Sequence, residues 1–468
     1  MGNCNNRKTG LIVLLILFMT LSANCSSSSI QKKQRVLSRF DLIFSSYIGD
    51  SQLDTIADIA SDDQNNIYVV GNTTSKSFPF LLPDLKLFHG HQEVIVIKLN
   101  ESKQLLWSAF IGEGSVNNFA NKISILPNGQ IVALGHSKNS NTSESAIQGD
   151  YSFVVLLDQD GHLIKRKNFK RNEFTNVDDF CYTSSNIYVI GSSSHGIQFG
   201  ESSFNESQLK EMDQKIFMLK CDYDLNESLI YEEKNYIPYE AAIAIDKDEN
   251  LYFIENSNLI DNKVIIEVQL VCLSNKQSIK WKKDVFDNAL SGEIAFLDKP
   301  QIEVDGSGRI ILTGTSKEQD VSIALAFSQT GEREWESIIG SSKTVIRKMK
   351  INQYGYLFIA GMTTDPEYIV INPYQSKMNG YSDAFVSVLN CTTGEVVLST
   401  FFGSKKDGYL PIEGAGSLTF MTGDKLLISG STTSETDFPL KNSIQNNFVG
   451  SQSPFIAEFD LIYLLESS

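Results

Sequence analysis

The chain has 468 residues, 41% hydrophobic and 21% charged, enough apolar content for a folded body of several structural units. Its formal charge of −16, with no basic stripe after residue 40, excludes nucleic acid as a partner, because phosphate binding draws on clustered Lys and Arg. Cys181, Cys221, Cys272 and Cys391 form no CxxC pair, so they give neither a disulfide framework nor a zinc site and read as buried free thiols.

At the N-terminus, Arg7 and Lys8 precede the apolar run Leu11 to Leu21. That run is shorter than the ~20 residues that span a bilayer and suits a signal-peptide core. "SANC" and four serines follow. This resembles a bacterial lipoprotein signal, which implies that Cys25 becomes the lipidated first residue of the mature chain. Asn24 stands where that signal usually has Gly, Ala or Ser. Ordinary secretion with cleavage nearby is the alternative. The expected organisation is a signal peptide at 1–24, a polar tether at 25–40 and a folded body at 41–468. The lipid anchor is then the membrane contact. Ser26, rather than the Asp that signals inner-membrane retention in some bacteria, makes the outer membrane the expected site in the cell envelope.

Through the body runs a phrase of four apolar residues, Gly, any residue, then Ser or Thr. It ends at Thr73, Ser137, Ser193, Ser316, Thr363 and Thr432, with a degenerate copy, "LYFIENS", ending at Ser257. From Gly71 to Gly430 the mean spacing is about 60 residues, a period that points to a repeat architecture. Before each phrase lie a short strand and a polar turn such as "DDQNN", "LPNGQ", "DKDEN" or "DGSGR". After it come a loop, a strand such as "VIVIKLN" or "AFVSVLN", a second polar turn, and a closing strand such as "LLWSAFIGE". Each unit therefore holds four short strands rich in β-branched and aromatic residues, and no run reads as a long amphipathic helix. Four-stranded units repeated seven times predict an all-β fold, a seven-bladed β-propeller of antiparallel blades.

The last unit, after "FIAEFDL" at 455–461, lacks its closing phrase, and a spare copy, "LIFSSYIGD", lies at 42–50. The expectation is that 42–48 is the fourth strand of blade seven, antiparallel beside Phe455–Leu461, closing the ring.

"SSYIGDSQLDTIADIASDDQNNIYVVGNTTSKSFPF" at 45–80, "NGYSDAFVSVLN" at 379–390 and "GSTTSETDFPL" at 430–440 resemble the bacterial seven-bladed beta-propeller (SBBP) repeat family. The match is good in units one, six and seven and faint in three to five. The resemblance implies the fold; it carries over no catalytic motif.

"DQDGH" at 158–162 and "DKDEN" at 246–250 look like fragments of a calcium loop but lack its continuing ligand series, so they read as hairpin turns. His89 and His91 flank Gly90 on a loop with no third ligand in sight. No metal, cofactor or catalytic residue is expected from these patterns. Trp107, Trp281 and Trp335 lie at the closing strands and read as packing. The loops between second and third strands hold roughly twenty residues in units one, six and seven, and about half that in units four and five. They carry Phe78, Tyr374 and Phe438, the candidate ligand face; the alternative is that these aromatics cap blade interfaces. The function expected is a monomeric, non-catalytic binding scaffold for a protein or polysaccharide. A polysaccharide-active enzyme, a lyase or glycoside hydrolase with carboxylates at the channel mouth, and a passive spacer stay open.

Overall fold

A computed structural model describes residues 35–49, 54–74, 92–112, 116–138, 151–170, 174–194, 214–234, 240–260, 263–286, 297–316, 320–404 and 412–465. Cys25, Phe78, His89, His91 and His195 lie outside the described residues. The chain divides into two compact units: Leu37–Ile462, and a smaller one of which Arg35, Val36 and residues 463–465 are described. They are the outer ends of two strands, Arg35–Tyr47 and Ser453–Leu465.

The larger unit is a ring of seven blades, each a four-stranded antiparallel sheet in simple sequential order. Blades one to six span 54–110, 117–169, 174–234, 243–284, 297–341 and 344–402. Blade seven takes Glu413–Met421, Lys425–Thr432 and Ser453–Leu465, and its fourth strand is Arg35–Tyr47, paired with Ser453–Leu465. The ring closes as the spare phrase predicts, and the Ile48 amide donates to the Pro454 carbonyl at 3.0 Å. The closing strand starts earlier than 42: Leu37 and Phe40 are buried, and Phe40 packs on Phe459 at 5.9 Å. Residues 35–40, expected as tether, are therefore strand.

The repeat glycine has a steric reason. A Cβ on Gly71 would lie 2.1 Å from the Thr55 carbonyl oxygen, and one on Gly430 1.9 Å from that of Gly414. The inner strand presses its carbonyl against the second strand there and bulges. Register shifts fall between Ile56 and Asp58, Ala120 and Lys122, Val177 and Asp179, Asp298 and Gln301, Ile346 and Lys348, and Ala415 and Ser417. Blade four has Glu255 in place of the glycine. Its inner strand is only Ile243–Ile245, with no bulge.

The polar turns are built by a side chain. Asp62 accepts the amides of Gln64 and Asn66, and Asn65 sits at φ 61 in the left-handed position that closes a type I turn with a bulge. Asp158 accepts the amides of Asp160 and His162, and Asp246 those of Asp248 and Asn250. Both calcium-like fragments form hairpin turns, and in the first the ligand atoms of Asp158, Asp160 and His162 lie within 4.8 Å of one another.

The tryptophans join blades. Trp107 of blade one donates its indole N–H to the Gln159 carbonyl of blade two at 3.0 Å, Trp281 of blade four to Gln329 of blade five at 3.0 Å, and Trp335 of blade five to Cys391 of blade six at 2.9 Å. Each ring lies against a turn glycine of the next blade: Gly161, Gly331 and Gly394, all at positive φ. The seam between blades seven and one has its own links. Lys103 pairs with buried Glu458 at 2.5 Å, and Phe44 packs with Ile59, Val69 and Ile456.

Candidate functional site: the central channel and its mouth

The long loops of blades six and seven turn back along the outer strands. Ile371 pairs with Ser399 and Gln375 with Phe401; Lys441 pairs with Ser45. The loops cover two edges that would otherwise expose unpaired backbone. Phe438 is buried, stacked on Tyr47 at 5.6 Å and against Phe455 at 4.9 Å. It therefore packs a blade rather than facing a ligand. Its counterpart in blade six is Tyr368, set against Phe385 at 5.1 Å and Phe401 at 5.6 Å, not Tyr374. Tyr374 is 39% exposed and rests on Phe402 and Phe459. In blades four and five these loops are shorter than expected: in blade four the longer strands Leu251–Ile260 and Lys263–Leu273 take up the chain, whereas in blade five Ile310–Ser316 and Val321–Phe327 keep the ordinary length and follow one another closely.

The bulges place the chemistry. A bulge leaves one residue unpaired and re-aims the side chains around it. The residues just after the bulges, Asp58, Lys122, Asp179, Gln301 and Lys348, line the central channel. They form a septum between a mouth cavity of about 300 Å³ and a deeper one of about 290 Å³. Their charges are satisfied mutually. Lys348 meets Asp58 at 2.9 Å, and Lys122 pairs with Asp179. Three of these four also grip the backbone of the following blade. Asp58 accepts the Ile123 amide at 3.1 Å, Lys122 donates to the Phe180 carbonyl at 2.9 Å, and Asp179 accepts the Ile243 amide at 3.1 Å. Ser417 of blade seven accepts the Ile59 amide of blade one at 3.4 Å. Burial pushes the Asp58 carboxyl up, but Lys348, Ser417 and the Ile123 amide outweigh it and hold it below the usual range.

In the deeper cavity, burial raises the Glu303 carboxyl in spite of Lys350, Lys122 and Lys348 nearby. Burial and Lys348 together lower the Lys350 ammonium, which donates to Thr419 at 3.3 Å.

The mouth is built by the extra residues of the bulges. An inner strand runs from one face of the ring to the other, so its start lies on the face from which the loops between second and third strands leave. Reading round that rim gives Ala57, Asn121, Asp178, Glu240 (just before the short inner strand of blade four), Lys299, Arg347 and Gly416. Lys299 has φ 52 and precedes Pro300, which a bulge tolerates because no ladder hydrogen bond is lost. Asp178 accepts the Ala241 amide at 3.2 Å; burial, with Glu240 and Asp179 close by, raises its carboxyl well above the usual range. His136 also lines the mouth, stacked on Phe119 at 5.0 Å; burial and Lys138 lower its imidazole to about 4, so it is neutral at pH 7. Apart from His136, one of the few histidines in loops or at strand ends, none of these channel residues was singled out in the sequence. The available signal was the residue at and after each bulge, thirteen to fourteen positions before the repeat glycine in blade one and thereabouts in its copies.

Residues 43–79 match the model of the SBBP beta-propeller repeat family. No curated protein sequence matches the chain. Among solved structures, a protein of unknown function from Dyadobacter fermentans aligns over 90% of this chain and 99% of its own, at 8% identity and a TM-score of 0.44. Acylaminoacyl peptidase from Pyrococcus horikoshii aligns over 82% of this chain at 12% identity and a TM-score of 0.43, and this chain spans 50% of that enzyme's length. Alpha-L-arabinanase from Penicillium chrysogenum aligns over 90% of this chain and 98% of its own, at 11% identity and a TM-score of 0.35. With its four-stranded blades and the matched segment 43–79, the chain is a seven-bladed β-propeller that carries an SBBP repeat.

Proposed function

We infer that the protein is a non-catalytic binding module of the bacterial cell envelope, anchored through a lipid on Cys25, that receives a protein or polysaccharide at the loop face. The observation that carries this reading is the state of the channel carboxylates. Asp58 and Asp179 are each tied to a lysine and to an amide of the next blade, an arrangement suited to holding blades together rather than to proton transfer. The test has two parts. Protease shaving of intact cells, with a C-terminal tag and a periplasmic control, distinguishes a surface from a periplasmic location. The purified chain is then screened against glycans and envelope fractions for binding and for turnover. Capture without turnover supports the reading, and catalytic release of product ends it.

A polysaccharide-active enzyme is the second reading, favoured by one observation: Asp178, at the mouth, holds its proton to higher pH than an ordinary carboxyl, beside ion-paired Asp179. Product release from a polysaccharide panel that disappears in Asp178→Asn would establish it; the same panel left intact by the wild-type chain would end it.

A further inference from the structure

The rim of the mouth is sorted by charge. Two acids, Asp178 and Glu240, come from consecutive blades three and four, and two bases, Lys299 and Arg347, from consecutive blades five and six. Blades seven and one contribute Gly416 and Ala57, which leave room. The lower septum behaves differently, since its opposite charges pair with one another. At the rim, Glu240, Lys299 and Arg347 have no ion-pair partner within 4.0 Å among the described residues. The bulges put these side chains there: Asp178 and Arg347 are the extra residues, and Lys299 lies within the longer insertion before Gln301.

We propose that the mouth binds a small zwitterionic ligand, its ammonium on the wall of blades three and four and its carboxylate on the wall of blades five and six. This rests on the binding-module reading and names the ligand class of that face. Three features support it. The cavity, about 300 Å³, is at the small end of ligand pockets and mainly polar in its lining residues. Burial, with Glu240 and Asp179 close by, raises the Asp178 carboxyl, and an ammonium seated beside Asp178 and Glu240 favours its ionised form. A carboxylate between Lys299 and Arg347 meets a guanidinium able to take it in two parallel hydrogen bonds.

The test uses the detergent-solubilised full chain and titration calorimetry with glycine peptides of increasing length, so that the charge separation grows in steps of about 3.5 Å. Each peptide is also presented N-acetylated, as an anion, and C-amidated, as a cation. At the best length, the zwitterion should bind at least tenfold tighter than either blocked form. The double variant Lys299→Gln, Arg347→Gln should erase the advantage of the zwitterion over the amidated peptide, and Glu240→Gln should shrink its advantage over the acetylated one. These side chains sit at the solvent-facing rim, so an unchanged thermal midpoint is expected in every variant. Equal binding of the three forms, or binding of none at any length, overturns the proposal. If the mouth variants still capture a glycan or envelope partner as wild type does, the binding-module reading survives and this inference alone fails.

Discussion

Lys348 of blade six places its ammonium 2.9 Å from the Asp58 carboxylate of blade one, reaching past blade seven, whose Ser417 donates to the same Asp58 oxygen. With the Ile123 amide of blade two on its other oxygen, four blades meet at this one carboxylate, and the side chain of Asp58 is only 3% exposed. Lys348→Met leaves that charge buried without its cation. The expected loss is about 3 kcal/mol, read from the urea midpoint. The double variant with Asp58→Asn should cost less than the two single changes added, since the uncompensated charge is gone. Strict additivity would show that the pair does not couple the blades.

The ring depends on its first strand. Deleting residues 1–50 removes Leu37, Phe40, Phe44 and Tyr47 from the core and leaves Ser453–Leu465 without an outer neighbour. At about 2 kcal/mol for each buried side chain, the loss is on the order of 8 kcal/mol, comparable to the whole stability of many domains. Calorimetry should show no cooperative transition for the deletion. A synthetic peptide of residues 35–49 should restore one. A deletion variant that melts like wild type would refute closure by this strand.

Gly394 sits at φ +73, and a Cβ there would lie 2.7 Å from the Trp335 ring. Gly394→Ala therefore combines backbone strain with a clash at the junction of blades five and six. The expected cost is about 2 kcal/mol. Hydrogen exchange of the Trp335 indole N–H, bonded to the Cys391 carbonyl, should speed up in parallel. Unchanged exchange with lowered stability would place the damage elsewhere.

Asp383 and Glu413 are both fully buried at the junction of blades six and seven. Burial pushes Asp383 to about 6, although the Asn379 and Gly380 amides and Gln375 donate to it. Burial and the charge of Asp383 push Glu413 to about 8. The folded chain keeps these protons where the unfolded chain, with carboxyls near about 4, has lost them. Stability contributed by the pair is therefore present at low pH, falls as pH rises from about 4 to about 8, and is constant above that. Glu413→Gln should flatten the fall in urea midpoint between pH 5 and pH 8. Parallel slopes in variant and wild type would remove the pair as the cause. Below about pH 4 the trend reverses, because Asp58, despite burial, is held ionised by Lys348 and its hydrogen bonds.

By itself the sequence determined the blades. The glycine phrase, the Asx-built turns and the spare "LIFSSYIGD" specify local geometry and strand count, because each depends on residues close together in the chain. Even the weak blade is legible, since Glu255 replaces the glycine that lets the inner strand bulge. Tertiary structure alone decided the rest. Whether an aromatic on a long loop faces a ligand or a neighbouring strand depends on how the loop returns, and Phe438 returns to Tyr47, some 390 residues earlier. Asp178, Glu240, Lys299 and Arg347 lie on four blades, and their meeting at one rim is set by bulges and ring closure, not by spacing. Charge is summed in space, so a site assembled one residue per blade has no local signature.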